Sequence, residues 1–140
     1  MVRGQHMLRR LTRIFAATLA LIVIGAWSAS ALWVSRTGAQ AWTNVDSTWN
    51  WVNKYEATGI RLDIRDTACD DHGVYTYFRV DSDSDFNTTA RWNKKGCNTA
   101  DTYEDLWIDA YPGQLYGVTF YVCVSGVSCT ASARWDNPRN

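Results

Sequence analysis

Downstream of residue 31 the chain has a single histidine, His72, in the run Cys69-Asp70-Asp71-His72. With the serines and carboxylates present elsewhere it offers the parts of a nucleophile–base–carboxylate set for hydrolysis. No Gly-x-Ser-x-Gly elbow or comparable motif accompanies it, and a turn beside a cysteine ordinarily holds a solvated polar residue. Glu56, Glu104 and Asp105 are the carboxylates available to a glycosidase, which needs two facing across a groove. Among fourteen acidic residues some pair is inevitable, so that signal is weak. Asp81, Asp83 and Asp85 set hard oxygens at alternate positions, like the opening of a calcium loop. The EF-hand pattern then wants Gly where Phe86 stands and Glu where Trp92 stands, which leaves a looser calcium loop or a solvated hairpin tip. Asn87-Thr88-Thr89 matches the N-glycosylation sequon. No residue is assigned a catalytic role on this pattern, and no cofactor is expected.

The more informative residues are aromatic. Tyr75, Tyr77, Trp107, Tyr111 and Tyr121 alternate with aliphatic residues, so each falls on the face opposite an apolar one if its segment is a strand. Rings with a polar edge present flat apolar surface at small entropic cost, suited to the C–H faces of sugars or to peptides. Nearby Asp and Arg would bind hydroxyls. The competing expectation is that a second sheet, or the segment from Trp42 to Trp51, covers these rings.

The elements that must carry them read as short strands. Ile60, Leu62 and Ile64 alternate with Arg61, Asp63 and Arg65, and Val74, Phe78 and Val80 alternate with Tyr75, Tyr77 and Arg79. A strand resumes over Asn87 to Trp92. Leu106, Ile108 and Ala110 alternate before the Pro112-Gly113 turn, and Val118, Phe120, Val122 and Val124 alternate after it. A last short strand runs from Cys129 towards Trp135. Residues 42–58 carry two patterns: Trp42, Val45, Trp49 and Val52 recur at helical spacing, while Trp49 and Trp51 share a strand face. The fill of Thr, Asn, Asp and Ser is poor for helix and favours strand. Leu32 to Ala41 has no clear period and reads as a mobile N-terminal arm. The domain boundaries expected are therefore 1–31, 32–58 and 59–140. Strands of this length between Gly, Pro, Asn and Asp turns predict an all-β fold, a small antiparallel sandwich or partly open barrel.

Residues 1–31 have the form of a signal peptide. Arg3, Arg9, Arg10 and Arg13 precede the apolar stretch Ile14 to Trp27, and Ala29-Ser30-Ala31 supplies small residues for a cut before Leu32. That fourteen-residue stretch, broken only by Thr18 and Gly25, makes about 21 Å of helix, short of a bilayer core of about 30 Å. Without that leader fourteen acidic side chains outweigh ten basic ones, a poor match to nucleic acid or to anionic lipid. The expectation is a secreted protein with no stable membrane association.

Export accounts for the four cysteines, all downstream of the leader. Cys123 and Cys129 flank a segment centred on Gly126, and a three-residue loop there would set them opposite across a hairpin. That pairs Cys69 with Cys97. Spacings of 28, 26 and 6 lack the two close pairs of a four-cysteine zinc site.

Asp66-Thr67-Ala68-Cys69, Val74-Tyr75, Arg91-Trp92-Asn93, Gly96-Cys97, Val122-Cys123-Val124 and Cys129 together resemble small secreted two-disulfide actinobacterial proteins of unassigned function, over roughly residues 60–135. The resemblance implies a disulfide-stapled framework and no activity. The function expected is a non-catalytic binding domain, with a carbohydrate or cell-envelope ligand on the aromatic face. The alternatives are an inhibitor of an extracellular protease, acting through a rigid loop at 125–128 or 98–105, and a small hydrolase using His72.

Overall fold

The computed structural model describes residues 32–45 and 50–140. The expected signal peptide, its cleavage point and the position of Trp49 lie outside the described residues. Among the described residues nine strands follow in order: β1 (Leu32–Arg36), β2 (Ala39–Thr43), β3 (Glu56–Asp66), β4 (Val74–Ser82), β5 (Phe86–Asn87), β6 (Arg91–Trp92), β7 (Ala100–Asp109), β8 (Leu115–Val124) and β9 (Ser128–Asp136). They form two antiparallel sheets, one ordered β1-β2-β3-β7 and the other β5-β4-β8-β9, with β6 also on β4. The fold is all-β, open rather than closed, and carries two disulfides.

Period-two alternation builds the core. Ile60, Leu62 and Ile64 of β3 turn the same way, towards Val74, Phe78 and Val80 of β4 and Val118, Phe120 and Val122 of β8, and all are buried. Each fully buried aliphatic or aromatic side chain contributes about 1.5–3 kcal/mol. β4 and β8 pair from Val74↔Val124 to Ser82↔Leu115, so sheet two is organised around the inward faces of its two central strands.

The arm expected over Leu32–Ala41 is instead a β-hairpin, β1 and β2, turning at Gly38 with φ 88°. Its inward residues are Val34, Ala39, Ala41 and Thr43, while Gln40 and Trp42 face away from the core. Small residues inside and a tryptophan outside hide the period. Among the described residues between β2 and β3, the expected strand reduces to one bridge, Trp51↔Ala57. The buried Asn137 side chain donates to the carbonyls of Asn53 and Leu115, both at 3.0 Å, and ties this segment to the C-terminal stretch.

The two lateral seams differ. On one side β1 lies against β9 and β8. On the other, β7 faces the short strands β5 and β6. That seam is latched where the Tyr103 hydroxyl donates to the Trp92 carbonyl (2.7 Å) and Asn93 Nδ2 donates to the carbonyls of Ile64 (3.2 Å) and Thr99 (2.8 Å). Between β5 and β6 the edge is interrupted at Thr88–Ala90, and the seam stands open there.

Both disulfides pair as the spacing predicts. Cys123 and Cys129 are register partners with Cα atoms 4.0 Å apart, across the loop Ser125–Val127 in which Gly126 has φ 73°. Cys69 and Cys97 join the β3–β4 loop to the segment before β7, Cα to Cα 5.0 Å.

Candidate aromatic binding face

The outer face of the second sheet collects rings by register. Tyr75 and Tyr77, two apart on β4, stack with centroids 6.5 Å apart. Tyr75 is opposite Trp92 of β6 (4.6 Å), and Tyr77 is opposite Tyr121 of β8 (4.9 Å, planes within 1°). The result is one row of four rings, Trp92–Tyr75–Tyr77–Tyr121, in two cross-strand pairs of the kind that stabilise sheets. The Tyr75 hydroxyl lies 3.9 Å from Cys129 Sγ, so the β8–β9 disulfide borders the row.

Stacking turns ring faces towards one another, so the middle of the row presents edges and phenolic hydroxyls. Trp92, 40% exposed, is the most solvent-accessible ring of the row and stands at its end. Its indole lies over Gly73, where an added Cβ would meet the ring at 3.0 Å. Burial among the rings pushes the Tyr77 phenol above its ordinary value, with Tyr121 and Tyr75 adding to the rise and Arg79 opposing it. Tyr77 is therefore a protonated donor at neutral pH.

Past Tyr121 the same face becomes charged. Arg79, Asp81, Asp85, Thr119 and Arg134 border a shallow depression of about 270 Å³. Arg134 pairs with Asp81 (2.5 Å) and with Asp136 (2.8 Å), and Arg79 pairs with Asp85 (3.8 Å). Half-exposed pairs of this kind hold each other weakly, so their hydrogen-bonding groups remain available to a ligand.

The five rings expected to share one surface are divided. Tyr75, Tyr77 and Tyr121 belong to the row. Trp107, 68% exposed, stands on β7 of the other sheet at the lip of the open seam. Tyr111, 74% exposed, follows β7 and meets Tyr55 edge-on at 5.8 Å. Trp92 completes the row and escaped the sequence reading, because only the β4–β6 register brings it beside Tyr75. A second aromatic pair, Trp33 and Trp42, lies cross-strand on the outer face of the first sheet, with the Arg61 guanidinium 5.7 Å from the Trp42 ring.

The other candidates are dispersed. Each aspartate of the Asp81, Asp83, Asp85 run has its own partner, so the three do not converge as a calcium loop requires. Asp83 accepts from the Tyr116 hydroxyl (2.6 Å) and the Gln114 N–H (2.7 Å), and Asp85 accepts from the Ser82 N–H (3.1 Å). Among the described residues no group of three His, Cys, Asp or Glu is placed to hold a metal ion. His72 is exposed in the β3–β4 loop, where its backbone N–H donates to Asp70 Oδ1 (3.2 Å). Glu104 pairs with Arg61 (3.5 Å), Asp105 takes φ 53° in β7, and Glu56 opens β3. The segment 98–105, expected as a loop, is mostly strand, since β7 begins at Ala100.

Among the described residues no helix is long and apolar enough to cross a membrane. No protein-family model, curated protein or solved structure matches this chain.

Proposed function

We propose that the protein is an exported, non-catalytic binding module that recognises a carbohydrate of the cell envelope or its surroundings through the row Trp92–Tyr75–Tyr77–Tyr121. The observation that carries this reading is the continuity of the row with a charged end. An exposed indole offers a stacking plane, three phenols offer hydroxyl edges, and Arg79, Asp81 and Arg134 offer donors and acceptors for sugar hydroxyls. The strands fix these groups in advance, which reduces the ordering cost of binding. Two disulfides and the arginine-led apolar leader support export.

Pull-down of the secreted protein on insoluble cell-wall polysaccharides tests this. Retention is expected, with a loss of about tenfold or more in Trp92→Ala and in the double variant Tyr77→Ala, Tyr121→Ala, corresponding to one or two stacking contacts. No retention of the parent protein, or equal retention of the variants, refutes it.

A second reading is favoured by one detail. Val127, 56% exposed, projects from a three-residue turn stapled by Cys123–Cys129, as a rigid inhibitory tip would. Inhibition of extracellular proteases by the purified protein, abolished by Val127→Asp, would select this reading over the glycan one.

A further inference from the structure

The outer face of the first sheet carries a line of side chains that the row on the second sheet leaves unused. Trp33 pairs with Trp42, Trp42 with Asp63, and Asp63 with Thr102, so one register line crosses β1, β2, β3 and β7. At about 4.8 Å per strand it is about 14 Å long. The alternate residues Val34, Ala41 and Leu62 are buried in the core, which sets the line outward. Trp33 is 56% exposed, and Trp42 is half-buried with the Arg61 guanidinium 5.7 Å from its ring. Arg61 reaches on to Asp63 (3.3 Å) and Glu104 (3.5 Å), and Asp63 also accepts from the Thr102 hydroxyl.

The charges on this face select among ligands. Arg61 and Arg65 balance Asp63 and Glu104, so the face carries no net charge and attracts neither an anionic polymer nor a cationic one. An apolar surface laid on the line would take the Arg61 network out of water without satisfying it. A neutral polyol does satisfy it. Its hydroxyls donate to the carboxylates and accept from the guanidinium, while its C–H groups rest on the indoles. The pairs are part-exposed and hold each other weakly, so they are open to that exchange.

We propose that this line is a second, weaker carbohydrate site, and that the protein bridges two polysaccharide chains. The proposal rests on the glycan reading of the first row. The rows lie on the outward faces of two stacked sheets, whose backbones are about 10 Å apart, so they look in opposite directions. One extended chain meets one row only, and filling both joins separate chains. With two rings against four, the second site is the weaker.

Peptidoglycan, chitin and cellulose serve as probes, each as an insoluble solid and as fluorescently labelled soluble fragments. The full secreted protein is bound to the solid, washed, and offered fragments of the same polymer. On the polymer that retains it, the parent is expected to capture fragments. The double variant Trp33→Ala, Trp42→Ala should be retained within about twofold of the parent, yet capture at least about tenfold less. Its retention through the first row reports that it is folded. Trp33→Ala alone, at the more exposed position, should lose capture several-fold and takes its place if the double variant unfolds. A retained parent that captures no fragments overturns the bridging and leaves the glycan reading standing, as does equal capture by parent and folded variants. No retention on any of the three polymers removes the glycan reading and this inference together. Capture by a parent that light scattering shows to be dimeric, with the variants monomeric, assigns the line to self-association and also overturns the proposal.

Discussion

The 2.6 Å hydrogen bond between the Tyr116 hydroxyl and Asp83 moves both groups from their ordinary titration ranges. The phenol's donation, and then the Gln114 N–H, hold the Asp83 carboxyl low, and the same bond holds the Tyr116 phenol high. Asp83's contribution to stability is complete above the unfolded carboxyl value of about 3.9, and it is lost as pH falls through the lower folded value. Tyr116 contributes fully below about 10, and its contribution is lost as pH rises through the raised folded value. Tyr116→Phe is therefore expected to lower the urea midpoint at pH 7 and to flatten the stability profile at both its acid and alkaline ends. Superimposable profiles for parent and variant, measured from pH 2 to 11, would contradict this. None of it is legible from the alternate aspartates alone. The run looks like a set of ligands for one ion, yet the chain turns each carboxylate to a different neighbour.

Among the elements, β3, β4 and β8 are legible because each alternates large apolar residues with polar ones over five or more positions. The Cys123–Cys129 hairpin is legible because a glycine at the turn and a cysteine on each flank leave one sensible register. The β1–β2 hairpin is not, since Ala39 and Ala41 bury little area while Trp42 points outward. Trp92 shows the same limit from the other side. Strand pairing is non-local, and two residues of β6 carry no period of their own. The segment 50–55 has no ladder to hold it and relies instead on Asn137, Arg139 and main-chain bonds such as Leu115 N–H to Lys54 O (2.8 Å). Asn137→Ala removes two donations at a buried site: the Asn53 carbonyl loses its side-chain donor, the Leu115 carbonyl keeps only Asn140 Nδ2 (3.0 Å), and the Arg139 N–H loses its acceptor. A loss of about 1–3 kcal/mol is expected from urea unfolding. Hydrogen exchange at residues 50–55 should accelerate more than at β4 or β8, and uniform acceleration would argue against a local clasp.

For the molecule as a whole, two sheets of modest size share one layer of buried side chains, and the two cross-links act on different spans of chain. The link closing 28 residues should contribute about 3.5 kcal/mol and the link closing six about 2.5 kcal/mol by loop-closure entropy. Urea unfolding of the Cys69→Ala, Cys97→Ala and Cys123→Ala, Cys129→Ala double variants is expected to rank them in that order. A reversed order would place the stabilisation in native-state packing around Tyr75 and Cys129 instead. The edge that faces β7 has a further consequence. β5 and β6 are two residues each, separated by a detour of three, so this border never offers a neighbouring chain a continuous ladder of free amides. The gap that opens the seam also denies a template to intermolecular strand addition, which protects this margin against fibrous self-association.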